Sequence, residues 1–289
     1  MLLAKCKKCS GKKFWKVRRG KLRCQKCGYE FVPRIGEISL TRYQWKALLK
    51  WFLRCQSINV VLEETKVSKY KILKALSLIR KAMVLDVPEI FSGIVEIDET
   101  YLGGQWKYKR KAVKRRQAQS KRGLGTTKQP VFGILTREGR VWATIVPDTE
   151  AKDLIPIIEK RIKKGSRINS DTWRAYTGLA TRGYVHRTVE YRQQEYVKGV
   201  NHINGLEGFF GYLKRQLASR GGIRKERLPY YLAEYVWRYN HRDLPVEKQT
   251  QRLLNLVANF EHYPNHYLRR GWNIRSGRHC LFLSGYEKW

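Results

Sequence analysis

No run of apolar residues in this 289-residue chain approaches the roughly 20 needed to span a bilayer. A membrane partner is therefore not expected. The N-terminus, MLLAKCKKC, reaches a cysteine pair before any apolar segment of signal-peptide length, so the chain is expected to stay in the cytosol. Acidic residues are scarce as well: 24 Asp and Glu stand against 60 Lys and Arg, a formal net charge of +36. A chain this short of anions repels itself unless it meets a polyanion, which points to nucleic acid. Cysteine is limited to six residues, and in the cytosol these are not expected to form disulfides. No internal repeat is visible. What is present is a 42% hydrophobic composition, enough for a real core, in a length that suits one catalytic domain and one or two small modules.

Four of the cysteines are paired. Cys6-x2-Cys9 and Cys24-x2-Cys27 are separated by fourteen residues, the spacing of a four-thiolate zinc site. A closed four-ligand site leaves no position for substrate, so its expected role is structural. A 35-residue segment could not otherwise bury enough apolar surface to fold. An iron–sulfur cluster or redox dithiols are the alternatives. Cys55 and Cys280 fall outside the pattern. Residues 1–35 are thus expected to form a zinc ribbon. Residues 1–40 carry twelve basic and two acidic side chains, so this module is expected to touch DNA.

Residues 36–90 read as three short helices, with Ser39, Ser57 and Ser68 as N-cap candidates. In the third, Ile72, Leu76, Ile79 and Met83 recur at helical spacing, while Lys69, Lys71, Lys74, Arg80 and Lys81 decorate the remaining surface. A basic third helix suits a helix-turn-helix-like module that lays this helix in the major groove, with Lys74 among the contacts. An ordinary three-helix bundle with a solvated lysine face is the plainer alternative.

After a linker, VPEIFSG (87–93), the pattern changes. Strand candidates IVEIDETYL (94–102), PVFGILTR (130–137) and RVWATIVPD (140–148) come first, the last two joined by a tight turn at Glu138-Gly139. A helix (151–163), a short strand and turn (167–173), a short helix in AYTGLATRG, a strand (184–191) and helices over 201–219 and 228–243 follow. Three strands and then β/α alternation predict a mixed α/β domain over residues 91–243, in the element order of an RNase H-like fold. Residues 105–129 interrupt it with ten Lys and Arg and no acid. Alone they read as a polar loop. Beside Asp98, the residues Lys107, Lys109, Arg110, Lys111, Lys114, Arg115 and Arg116 suit a grip on phosphates. Residues 244–289, rich in Trp, Tyr and Arg, read as a folded tail facing DNA or a partner.

Three acids draw attention. Asp98 lies in a strand whose alternation puts Glu96, Asp98 and Thr100 on one face and Val95, Ile97 and Glu99 on the other. Asp171 follows a short strand. Glu207 lies on a helix with Lys214 two turns further along the same face. Taken singly, each acid has a plain explanation, as a surface residue or a helix cap. Together, with 35 residues between Asp171 and Glu207, they can converge at one edge of such a sheet. Convergent carboxylates suit two magnesium or manganese ions. Gly205, Gly208 and Gly211 weaken the Glu207 helix by roughly 1 kcal/mol each relative to alanine, which calls for close approach of a backbone, of DNA, or of the sheet.

VEIDETYLGG, NSDTWRAYTGL and HINGLEGFFGYLKRQL, with WRYNHRD beyond them, resemble the blocks of bacterial insertion-sequence transposases of the DDE type, in the group with an N-terminal zinc ribbon related to Merlin elements. The resemblance implies a catalytic triad of Asp98, Asp171 and Glu207 binding magnesium, with Lys214 contacting substrate DNA. His202 and Asn204 match neighbouring positions without an assigned role. It also implies a nucleoid-associated bacterial enzyme that binds terminal inverted repeats, cleaves the element ends and transfers their 3′-hydroxyls to target DNA. A homodimer or higher synaptic assembly would hold the two ends. A nuclease that hydrolyses without joining and a DNA-binding regulator remain the alternatives.

Overall fold

The computed structural model describes residues 6, 8–18, 21–32, 35, 38–104, 111, 128–188 and 204–260. These fall into two compact units: residues up to Leu85 together with those from Leu244 onward, and Asp86–Asp243.

In the first unit, β1 (Phe14–Lys16), β2 (Leu22–Cys24) and β3 (Glu30–Phe31) form an antiparallel sheet in the order β1-β2-β3. Of the four paired cysteines, Cys24 ends β2, and Cys6 and Cys24 are buried. Three helices follow: α1 (Arg42–Leu53), α2 (Ile58–Thr65) and α3 (Lys69–Met83). The α1 cap is Thr41, not Ser39. Its hydroxyl accepts the N–H of Gln44 at 3.1 Å, and its own N–H donates to the Gln44 side chain at 3.0 Å. This reciprocal box satisfies two otherwise orphaned donors, which Ser39 could not do from two residues further out. Ser57 caps α2 through the N–H of Val60, while Ser68 precedes α3 without a side-chain cap bond. Lys66, at φ 51°, turns the chain between α2 and α3.

Each helix buries one stripe: Trp45, Leu48, Leu49 and Phe52 from α1, and Ile72, Ala75, Leu76 and Ile79 from α3. The segment after residue 244 is no isolated tail in its described part. Its helix α7 (Val246–Asn259) packs Leu253, Leu254 and Val257 into this unit, against α1 and α3.

The second unit is a three-layer α/β/α arrangement. Strands β4 (Ile94–Leu102), β5 (Gln129–Thr136), β6 (Val141–Ile145), β7 (Arg167–Ser170) and β8 (Val185–Thr188) form one sheet in the order β6-β5-β4-β7-β8. β4, β5 and β6 pair antiparallel, whereas β4, β7 and β8 run parallel. This topology is that of an RNase H-like sheet, as the element order predicts. The β5–β6 turn closes at Gly139, whose φ of +78° favours glycine.

Helix α4 (Ala151–Arg161) covers one face, packing Leu154, Ile155 and Ile158 on Val95, Ile97, Phe132, Ile134 and Ile168. Helices α5 (Asn204–Ala218) and α6 (Leu228–Asn240) cover the other, where Leu206, Phe209, Phe210, Leu213 and Tyr235 meet Val131, Leu135 and Val141. The linker at 87–93 is part of this unit: Phe91 is buried and bridges to Ile162, with hydrogen bonds to the backbone of Arg161 and Lys163. The short helix expected in AYTGLATRG is two 3-10 turns, Arg174–Tyr176 and Ala180–Arg182. Gly178, at φ +94°, separates the two turns, and Gly183, at φ +90°, ends the second.

Candidate active site

Asp98 lies near the middle of β4, opposite Gly133 of β5. On its other side, β7 runs parallel with Val95 beside Ile168 and Glu96 beside Asn169. Carrying that register two residues further brings Asp171, just past the end of β7, beside Asp98. The same-face rule then puts Glu96, Asp98, Asn169 and Asp171 on the side of the sheet that α5 covers. Glu207 stands in the first turn of α5, and Lys214 two turns on. Three acids thus approach from a strand, a strand exit and a helix.

Their fields meet at Asp98. Burial pushes its carboxyl up to about 7. The N–H of Glu99, which donates to Asp98 Oδ1 at 2.8 Å, works against that rise. The charges of Asp171 and Glu207 add to it, and Lys214 opposes them. Lys214, exposed but partly desolvated, is itself lowered, first by that partial burial and then by Lys128, with Asp98 pulling the other way. Carboxylates that raise one another's affinity for protons will accept a cation for the same reason. Their oxygens are hard donors, which suits magnesium or manganese. Asp171 turns one oxygen toward the N–H of Trp173 at 3.0 Å, a local turn bond of the capping kind.

Two acids that flank Asp98 carry contacts that sequence reasoning left without a role. Glu96 is 1% exposed, yet its Oε2 accepts the N–H of Leu206 at 2.9 Å, and Arg137 lies 3.7 Å from its other oxygen. Glu99, on the opposite face, accepts a hydrogen bond from the buried Tyr176 hydroxyl. Burial pushes Glu99 up to about 8; the Tyr176 bond lowers it, while Asp98 and Asp171 raise it further. Tyr176 is held well above its ordinary value by burial and by Glu99. The available signal was three acids within four positions of an otherwise apolar strand.

At the exit of β7, the Ser170 hydroxyl lies 2.7 Å from the Asp171 carbonyl oxygen and 2.8 Å from His186 Nε2. Burial lowers the pKa of His186. The side-chain amide of fully buried Asn169 has no hydrogen-bond partner among the described residues.

Only one of the three helix glycines has a steric reason. A Cβ at Gly205 would come within 2.7 Å of Leu135 and 3.0 Å of Glu96, whereas one at Gly208 would meet nothing within 4 Å. Of the basic residues singled out for DNA, Lys214 and Lys74 are exposed, the latter on α3 of the other unit. Lys111 is described only as an exposed position. Lys107, Lys109, Arg110, Lys114, Arg115, Arg116 and His202 lie outside the described residues.

The thiols of Cys6, Cys9, Cys24 and Cys27 all lie within 4.8 Å of one another. Cys6–Cys27 and Cys9–Cys24 sulfurs are 3.5 Å apart, close to the spacing around a tetrahedral zinc with Zn–S bonds of about 2.3 Å. Among the described residues this is the only group of three or more ligand side chains gathered so tightly; the acids around Asp98 are more widely spread. No helix among the described residues is long and apolar enough to cross a membrane.

Residues 90–240 match the family described as the ISXO2-like transposase domain. An uncharacterized transposase-like protein of Haemophilus influenzae is 31% identical over 118 residues, covering 41% of this chain and 94% of the relative. An uncharacterized protein in transposable element ISH50 of Halobacterium salinarum is 28% identical over 229 residues, covering 74% of this chain and 76% of the relative. A chain of the simian T-cell lymphotropic virus intasome, solved in complex with the PP2A regulatory subunit B56 gamma, aligns over 69% of this chain and 70% of its own. At 17% identity and a TM-score of 0.33, that last likeness decides nothing about fold or function.

Proposed function

This chain belongs to the family of ISXO2-like transposases, and on that premise we propose that it cleaves the ends of an insertion sequence and joins their 3′-hydroxyls to target DNA. What supports this reading is the placement of Asp98 at the middle of β4, of Asp171 at the exit of the neighbouring β7, and of Glu207 in the first turn of α5, the helix that covers that face. These carboxylates would hold two magnesium or manganese ions, which supply Lewis-acid activation of the attacking hydroxyl and neutralise charge at the scissile phosphodiester.

The chain's own residues do the rest. Lys214, exposed and within the field of Asp98, would bind a substrate phosphate and orient the backbone over the acids. Attack by water frees a 3′-hydroxyl. Attack by that hydroxyl on a target phosphodiester forms the new bond and releases the target's own 3′-oxygen, with no covalent enzyme intermediate.

The other unit would supply DNA recognition. Lys66 makes the turn between α2 and α3, and α3 exposes Tyr70, Leu73 and Lys74, a face suited to the major groove of terminal inverted repeats. The four thiolates would hold a structural zinc that fixes the small sheet in front of it. Two ends must be held at once, so a homodimer or larger assembly is the working form.

Purified protein, a duplex carrying the element end and a divalent ion test the reading. Metal-dependent nicking and strand-transfer products are expected, and each of Asp98→Ala, Asp171→Ala and Glu207→Ala should abolish both. Activity surviving in these variants would sink the site assignment, and cleavage without joining would make the protein a nuclease.

A further inference from the structure

Glu96 and Glu99 flank Asp98 on β4, and the proposed chemistry uses neither. Each accepts a hydrogen bond from a segment that bears, or closely follows, one of the other two acids. The Glu96 carboxylate takes the N–H of Leu206 at 2.9 Å, and Leu206 directly precedes Glu207. It lies so close under the first turn of α5 that a Cβ at Gly205 would come within 3.0 Å of its Oε2. Glu99 takes the hydroxyl of Tyr176. Tyr176 ends the 3-10 turn that starts three residues after Asp171, and Asp171 itself accepts the N–H of Trp173 within that loop.

We propose that Glu96 and Glu99 are positioning residues: Glu96 fixes the first turn of α5 and with it Glu207, and Glu99, through Tyr176, fixes the loop that carries Asp171. One strand then sets the spacing of all three acids. The inference rests on the reading of Asp98, Asp171 and Glu207 as metal ligands. Both bonds end on a carboxylate oxygen, and an amide oxygen at the same place can still accept them, though without the charge. Hydrogen-bonded partners behind metal ligands carry roughly 10–100-fold in metal affinity.

The test is Mn2+ binding to the full chain by isothermal titration calorimetry, with thermal unfolding recorded for each variant. Glu96→Gln and Glu99→Gln, which keep an acceptor, should stay within about threefold of the wild type, while Glu96→Leu and Tyr176→Phe should bind about tenfold more weakly. Tyr176→Phe removes one oxygen atom and keeps the test decisive if Glu96→Leu does not fold. Unchanged affinity in Tyr176→Phe, when Asp98→Ala abolishes binding, overturns the positioning role and leaves the ligand assignment standing. Loss of binding in Glu99→Gln with Tyr176→Phe unaffected also overturns it, making Glu99 a ligand in its own right. Equal binding by the wild type and Asp98→Ala would instead overturn the ligand assignment and the positioning role with it.

Discussion

Asp98 and Gly133 face one another across the antiparallel pair β4–β5, and the room that a side chain at 133 would take is filled by Phe210 of α5. A Cβ there would lie 2.7 Å from the Phe210 ring and 3.0 Å from Leu206. The missing side chain lets α5 lie close over the strand, which brings Glu207 within electrostatic reach of Asp98.

Gly133→Ala should therefore lower stability by about 1–3 kcal/mol, the usual cost of overpacking. Metal-dependent DNA cleavage should fall further than the unfolded fraction explains, because Phe210 and the turn bearing Glu207 must shift. Urea unfolding, paired with initial rates at a temperature where both proteins are fully folded, measures the two effects separately. Equal rates would show that α5 accommodates the methyl without moving.

The pH dependence of the metal-free protein follows from two shifts. Asp98 is pushed up from 3.8 to about 7, and Glu99 from 4.5 to about 8. In both, the folded value exceeds the unfolded one. Their contribution to stability is therefore complete below about pH 4 and lost as pH rises through about 7 to 8. Melting temperature should fall between pH 5 and pH 8.5, and Asp98→Asn should reduce that fall. Identical profiles for the variant and the wild type would contradict the shift at Asp98.

Loss of the zinc proposed for the four thiolates should act locally. The purified protein should contain a single zinc ion, and Cys9→Ser or Cys24→Ser should lose it. Hydrogen exchange should then rise across residues 8–32, whose small sheet has little core of its own, and stay unchanged in β4–β8. Atomic spectroscopy and exchange mass spectrometry give both readings. Exchange that rises equally in both units would make the zinc a global support.

Glu234 offers a test remote from the acids. It is 0% exposed and lies 3.0 Å from Arg238 and 3.6 Å from Arg220. Glu234→Ala would remove the carboxylate 3.0 Å from Arg238, whose side chain is only 9% exposed, at a cost of about 3–5 kcal/mol. Chemical denaturation measures this directly, and a loss below about 1 kcal/mol would mean that the arginines find water.

The sheet was legible where local chemistry dictates it. Period-2 alternation marks β4, and Glu138-Gly139 marks the β5–β6 turn. The β/α order implies that β7 runs parallel to its neighbour, but the register that sets Asp171 beside Asp98 is visible only in the pairing itself. The α1 cap was misplaced because Ser39 and Thr41 are both good cap residues, and only the reciprocal partner Gln44, three positions beyond Thr41, separates them. Glu96 and Glu99 were visible only as neighbours of Asp98 on its strand. Their roles were not, because each depends on a donor far away in sequence: the Leu206 backbone for one and Tyr176 for the other. Gly205 and Gly208 look alike in the sequence, and only packing against Leu135 and Glu96 tells them apart.

The placement of α7 bears on the order of synthesis. Leu253, Leu254 and Val257 complete the unit begun by α1 and α3, yet every residue of the five-stranded sheet lies between them in the chain. A ribosome therefore releases the whole sheet unit before the helical unit can close its core. The part proposed to find the element ends matures after the part proposed to cut them, and a nascent chain stalled before residue 246 would carry the acids without a finished DNA-reading surface.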